Sequence, residues 1–148
     1  MKKFQFNLQR LLTYKEQLLD GEMMNLAVLQ NMLQTAEQNL QQLQKERTDS
    51  RNQFNEQMQN GLQPTEIGIY NSYEKRINEL IKTEICTVNE LENKIVHQIE
   101  RIKNLKMETR SLETIKEARY EEYRAEQLKK EELFIEEFVA GRKIAERR

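Results

Sequence analysis

Tryptophan is absent from the 148 residues, and cysteine, proline and histidine occur once each, as Cys86, Pro64 and His97. A lone cysteine excludes an intramolecular disulfide and any site built from several thiolates. A lone histidine with no companion ligands is a surface histidine before it is a metal ligand. Cys86 and His97 face different directions on a helix and form no nucleophilic pair. Glycine occurs only four times, which argues against a flexible linker, and no phosphate-cradling glycine pattern is present. Charge of one sign is also missing: 24 Lys and Arg stand against 25 Asp and Glu, a formal net charge of −1. No sequence-wide positive field gathers phosphate backbones, so nucleic acid is not an expected partner. Long hydrophobic runs are lacking too, and no window approaches the ~18 consecutive apolar residues of a membrane span. The opening Met1-Lys2-Lys3-Phe4-Gln5-Phe6-Asn7 is followed by Gln9, Arg10, Lys15 and Glu16 rather than by the apolar core of a signal peptide. A cytosolic protein without direct membrane insertion is expected.

What the chain does have is period. Apolar places recur at alternating spacings of three and four through Leu8, Leu12, Lys15, Leu19, Glu22, Leu26, Leu29, Leu33, Ala36, Leu40, Leu43, Arg47, Ser50 and Phe54. This is a sustained heptad pattern, strongest from Leu26 to Leu43, where every seam place is Leu or Ala. Leu11, Leu18, Met23, Met24, Val28 and Met32 lie beside the seam and widen the apolar face, so this half meets more than one helix or a partner. A second series follows through Ile77, Ile81, Glu84, Val88, Leu91, Ile95, Gln98, Ile102, Leu105, Thr109 and Leu112. The charged residues, 33% of the chain, read as solvated helix surface. A seam offers no concave pocket in which their pKa values could be perturbed and water excluded, so no enzyme and no cofactor is expected.

Between the two series lies Asn60-Gly61-Leu62-Gln63-Pro64-Thr65-Glu66-Ile67-Gly68, which holds the only proline and two of the glycines. Glycine supplies the positive φ of a helix C-cap, and proline removes a backbone donor and biases its neighbour away from the helical region. The expected fold is all-α: a long two-helix antiparallel coiled coil, an α-helical hairpin with an overhanging C-terminal helix. Its parts are a first helix over 4–60, a turn over 61–68, a second helix over 69–140 and a frayed basic tail over 141–148, all in a single coiled-coil domain over 1–148. Reversal near Pro64 sets Leu40 by Val88, Leu33 by Ile95 and Leu26 by Ile102, and puts Arg47 within reach of Glu84 as an ion pair inside the seam. It also sets Leu8 by Tyr120, leaving Tyr123 and everything after it without an opposite number. In that excess length Leu128, Leu133, Phe134, Ile135, Phe138 and Val139 form an apolar cluster rimmed by charge, the mark of a protein contact. The basic ending Arg142, Lys143, Arg147 and Arg148 suits a helix C-terminus.

Four stretches carry a family likeness. Phe4-Gln-Phe-Asn-Leu-Gln-Arg-Leu-Leu-Thr-Tyr-Lys-Glu16, Arg51-Asn-Gln-Phe54, Met58-Gln-Asn-Gly61 and Tyr70-Asn-Ser-Tyr73-Glu-Lys-Arg-Ile77, in this order, resemble the FliJ family of the bacterial flagellar type III export apparatus. The resemblance implies a non-enzymatic cytoplasmic protein, peripherally associated with the inner face of the cell membrane and similar to the coiled-coil stalk of rotary ATPase γ subunits. It implies as partners the export ATPase hexamer, its regulator, the cytoplasmic part of the membrane export gate, and export chaperones whose cycling the protein aids. It further implies that the terminal parts meet the ATPase ring, with Phe4, Phe6, Leu128, Leu133, Phe134, Ile135, Phe138 and Val139 as candidates. A patch beyond the turn would meet the gate through Tyr70, Tyr73, Ile77 and Leu80, with Leu43 on the facing arm. Glu84 stands where a relative has His, and Glu46 and Ser50 stand where it has aromatics, which weakens the gate reading on the first arm. The competing reading is a substrate chaperone or homodimeric coiled-coil adaptor, including the equivalent protein of a non-flagellar type III system.

Overall fold

The computed structural model describes residues 2–147, and the basic Arg148 lies outside them with Met1. It contains two helices, α1 (Gln9–Asn60, 52 residues) and α2 (Pro64–Glu146, 83 residues), and no strand among the described residues. Two compact units emerge where one domain was expected. One comprises the residues up to Asp20 with those from Lys103 onward, and the other comprises Gly21–Ile102. In each unit the helices lie antiparallel against one another, so the fold is an all-α helical-hairpin coiled coil.

In the unit formed by Gly21–Ile102 the heptad seam is the core. Ala36, Ile77, Ile81, Leu91 and Ile102 are buried, and Leu26, Leu29, Leu33, Leu40 and Leu43 are half-buried. Apolar side chains returning every three or four residues share one helix stripe, and fully burying a Leu or Ile side chain contributes about 1.5–3 kcal/mol. One polar pair in the seam, Gln98 and Glu22, meets across it. The Gln98 side-chain amide donates to the Glu22 backbone carbonyl at 2.8 Å and to its carboxylate at 2.5 Å. Such a polar layer fixes the register of a seam that apolar contacts alone leave free to slide.

The turn is shorter than expected. It comprises Gly61, Leu62 and Gln63, because Pro64 is the first residue of α2 rather than part of the break. Proline suits the first helical position, where its missing N–H is one that no helical carbonyl would accept, and its fixed φ is already helical. The Glu66 and Ile67 amides then donate to the Gln63 carbonyl, and Glu66 places a carboxylate in the first turn against the positive end of the helix dipole. Gly61 closes α1 with φ +87°, its amide donating to the Met58 carbonyl. A Cβ at this position meets no neighbouring atom, so only the backbone conformation opposes one. Gly61→Ala is therefore expected to cost about 1–2 kcal/mol, read as a lower thermal midpoint with unchanged helicity below it. A neutral result would mean that the left-handed cap is not required.

A shorter turn moves its centre from Pro64 to Leu62 and every facing residue by about four positions, one turn of helix. Arg51 pairs with Glu74 at 2.5 Å, and Phe54 meets Tyr70 edge-on with ring centroids 5.2 Å apart. The pairing of Arg47 with Glu84 is accordingly not formed. Arg47 instead donates to the Asn78 side chain at 3.0 Å, and Glu84 sits nearly two turns farther along α2, beside Ala36 and Asn39.

In the other unit, residues 2–8 are not helical, and α1 begins at Gln9 rather than at Phe4. The reason lies in Phe4-Gln5-Phe6. Residues two apart point to the same side only in extended chain, whereas on a helix they diverge by about 200°. Both phenylalanines are needed against α2. Phe4 packs edge-on against Tyr120 at 5.3 Å and lies 5.5 Å from Tyr123, while Phe6 is buried with Leu12 and Leu112. The Tyr123 hydroxyl donates to the Lys2 carbonyl. Tyr123, expected to lack an opposite number, thus has one, because extended chain reaches about twice as far per residue as helix. Lys15 pairs with Glu108 at 2.7 Å in the same unit. With no proline to stop it, α2 continues through Gly141 to Glu146 instead of fraying at 141.

Candidate interaction surfaces

The residues proposed for partner contact divide sharply by exposure. In the unit formed by Gly21–Ile102, Ile77 is 2% exposed and belongs to the seam, so its side chain cannot be offered to a partner without opening the hairpin. Tyr70, read as solvent-facing from its place beside the turn, is half-buried. It packs edge-on against Phe54 and its hydroxyl donates to the Gln57 side chain at 2.9 Å. Leu43 is half-buried in the seam. Tyr73, at 41% exposure, and Leu80 remain open. They are seven residues apart and share a helix stripe. Ile69, one turn before Tyr73, is also exposed on this side of the turn. Sequence reading passed over it, although its four-residue spacing from Tyr73 was the available signal.

In the other unit, Phe4 and Phe6 are structural rather than presented: Phe6 is buried and Phe4 packs against that core. Tyr120 and Tyr123, which complete this aromatic cluster, were not singled out as contacts from the sequence, which set Tyr120 by Leu8 and left Tyr123 unopposed. The remaining six candidates are all open. Leu128, Ile135 and Phe138 follow at spacings of seven and three and share a face, with Phe134 and Val139 at its margins and Leu133 off it. Phe134 is 69% exposed. Local terms hold this stretch helical: intrinsic propensity, the Arg142–Glu146 pair at 3.9 Å and Lys143 in the last turn.

Among the described residues no three His, Cys, Asp or Glu side chains gather as a metal site. Among the same residues no helix is long and apolar enough to cross a membrane. Exposed aliphatic and aromatic side chains on charged helices, without a cluster of reactive groups, can bind another protein by apolar burial.

The model of the flagellar FliJ protein family matches residues 4–148. The chain belongs to the FliJ family. Comparison with curated proteins gives no match, and comparison with solved structures gives none. As a FliJ family member it is a flagellar export-related protein. The match spans the aromatic N-terminal segment, the seam, the turn and the exposed end of α2, so the surfaces described above lie within the family's own boundaries.

Proposed function

We propose that this FliJ family member is a non-enzymatic coupling component of the flagellar type III export apparatus. It engages the export ATPase ring and its regulator through α2 beyond Gln127, and the cytoplasmic part of the export gate through Tyr73 and Leu80. The observation that carries this reading is the set of large apolar side chains exposed from Leu128 to Val139 on α2, past the point where the Tyr123 hydroxyl holds the N-terminal segment. Leaving them in water forgoes about 1–2 kcal/mol each on burial, which a bound partner recovers. A second apolar surface lies in the other compact unit, so one chain offers a separate surface to each of two partners. Work in the cytoplasm, at the inner face of the membrane through the apparatus, is consistent with the lack of a membrane-crossing helix among the described residues. A role in chaperone cycling rests on the resemblance to the family.

Co-purification with the export ATPase hexamer, scored for stoichiometry, tests the reading. One copy per ring is the expected result, whereas a dimer with no affinity for the ATPase favours a homodimeric adaptor and overturns it. For the gate, Tyr73→Ala is expected to reduce affinity for the cytoplasmic part of the gate about tenfold or more. Helicity and melting should stay within about 0.5 kcal/mol of the parent, as for most exposed positions. Unchanged gate affinity, measured by titration calorimetry, removes Tyr73 from the contact.

A further inference from the structure

The longest apolar stretch of the α1 seam has one small residue, Ala36, among Leu26, Leu29, Leu33, Leu40 and Leu43. Ala36 is 4% exposed and Leu91 of α2 is 5% exposed, and both lie at the floor of a groove between the helices. Where leucine would fill the seam to its rim, alanine leaves a hole. Exposed Val28 and Met32 form its α1 wall. Its polar edge, Asn31, Thr35, Asn39 and Thr87, carries no charge in a chain that is 33% charged. The one ionisable group in the groove is Glu84. It is half-buried at a seam position, and none of the ion pairs formed among the described residues includes it. Single apolar residues on a helix surface are ordinary. An apolar hole beside a carboxylate with no counter-charge is a more specific object, since a partly desolvated carboxylate gains from a cation brought against it.

We propose that this groove receives a partner's amphipathic helix, as the third helix of a local three-helix packing. One large aliphatic side chain of that helix seats over Ala36 against Leu91, Val28 and Met32, and a Lys or Arg pairs with Glu84. Glu84 and Leu91 are two turns apart on α2, about 10 Å, so the cation and the knob on the incoming helix stand seven residues apart on one face. The uncharged edge sets the remaining requirement: flanking residues that hydrogen-bond to amides and hydroxyls, because a carboxylate or a second cation there would be desolvated without a partner. Methionine in the wall adapts to Leu, Ile or Met as the knob. The selectivity therefore lies in the position of the charge more than in the shape of the apolar residue.

The test uses the full chain and a pair of synthetic helical peptides. Each carries one Leu stripe, with Lys seven residues from the central Leu in the first and Glu in its place in the second. Fluorescence anisotropy is expected to show the Lys peptide binding at least about tenfold tighter than the Glu peptide. Glu84→Lys should reverse that order. Ala36→Leu, which fills the hole, should weaken the Lys peptide about tenfold or more. Met32→Glu, at an exposed position that does not threaten folding, should do likewise. Equal binding of the two peptides, or binding unaffected by both Glu84→Lys and Met32→Glu, overturns the proposal. Sedimentation of the chain without peptide supplies an independent readout. A dimer that Met32→Glu converts to monomer would assign the groove to a second copy of this chain and overturn it as well.

Discussion

Ile77→Ala is expected to destabilise the hairpin by about 2–5 kcal/mol, lowering the thermal midpoint followed by circular dichroism by roughly 4–20 °C. Ile77 is among the most buried side chains of the molecule and lies next to Ile81 in the seam of the unit that holds the turn. The hole left by its methyl groups would open beside Arg47, whose Nε is buried without a hydrogen-bond partner. A two-helix seam has only one layer of side chains on either side of any position, so the surroundings have little freedom to close over the gap. Tyr73→Ala, four residues earlier and exposed, is the matched control. Loss of gate binding by Ile77→Ala in proportion to its loss of folded protein would place Ile77 in the core alone. Loss of gate affinity at a temperature where the variant is fully folded would return it to the contact surface. A melting change below about 1 kcal/mol would show that the seam is not what holds this unit together.

Removal of residues 128–148 has the opposite profile. The side chains of this stretch are exposed throughout its described part, including all six apolar candidates, so the seam and the Phe4–Tyr120–Tyr123 cluster are left intact. Helical signal should fall only by the share of the deleted turns, with the main transition within about 1 kcal/mol of the parent. Association with the export ATPase should fall by more than about a hundredfold, because Phe134 and Phe138 are large aromatics of the kind that dominate interfaces. The double substitution Phe134→Ser with Phe138→Ser should reproduce most of that loss. If the truncated chain still binds the ATPase fully, the end of α2 is not the contact. If the deletion abolishes binding while the double substitution spares it, the contact is carried by other residues of the segment than its two phenylalanines.

How far each feature could be read in advance follows from how local its cause is. The seam was legible almost residue by residue. Leu12, Ala36, Ile77, Ile81, Leu91, Gln98, Ile102, Thr109 and Leu112, all read as seam positions from spacing, are buried. The stop at Asn60 was legible because Gly61 acts on its own backbone. The start of α2 was not, since proline both ends and begins helices, and its role depends on whether the residues after it find an apolar stripe to join. From that single reading followed the displaced pairs, with Arg47 given to Glu84 rather than Asn78. The extended segment at the N-terminus was hidden for a related reason: Phe4 and Phe6 fit a helical or an extended reading until Tyr120 and Tyr123 stand opposite them. Of the candidate surface residues, those on the uncovered end of α2 were legible as exposed because nothing in the chain was long enough to cover them. Tyr70, Ile77, Phe4 and Phe6 were misread as presented because exposure is a property of neighbours.

The sequence by itself determined that this protein is two long helices, the first ending at Asn60, with a heptad stripe on each and an excess of apolar helix at its end. Periodicity, a single φ-permissive residue and chain length are written in consecutive residues, and elementary sterics and the cost of exposing apolar surface turn them into structure. Only the tertiary structure decided the register of one helix on the other, the division into two compact units and the clasp of the N-terminal segment. It also decided which aromatics are core and which are offered to a partner. Each of these depends on side chains far apart in the chain meeting across a seam, where a shift of one helical turn keeps every stripe facing inward yet changes every neighbour.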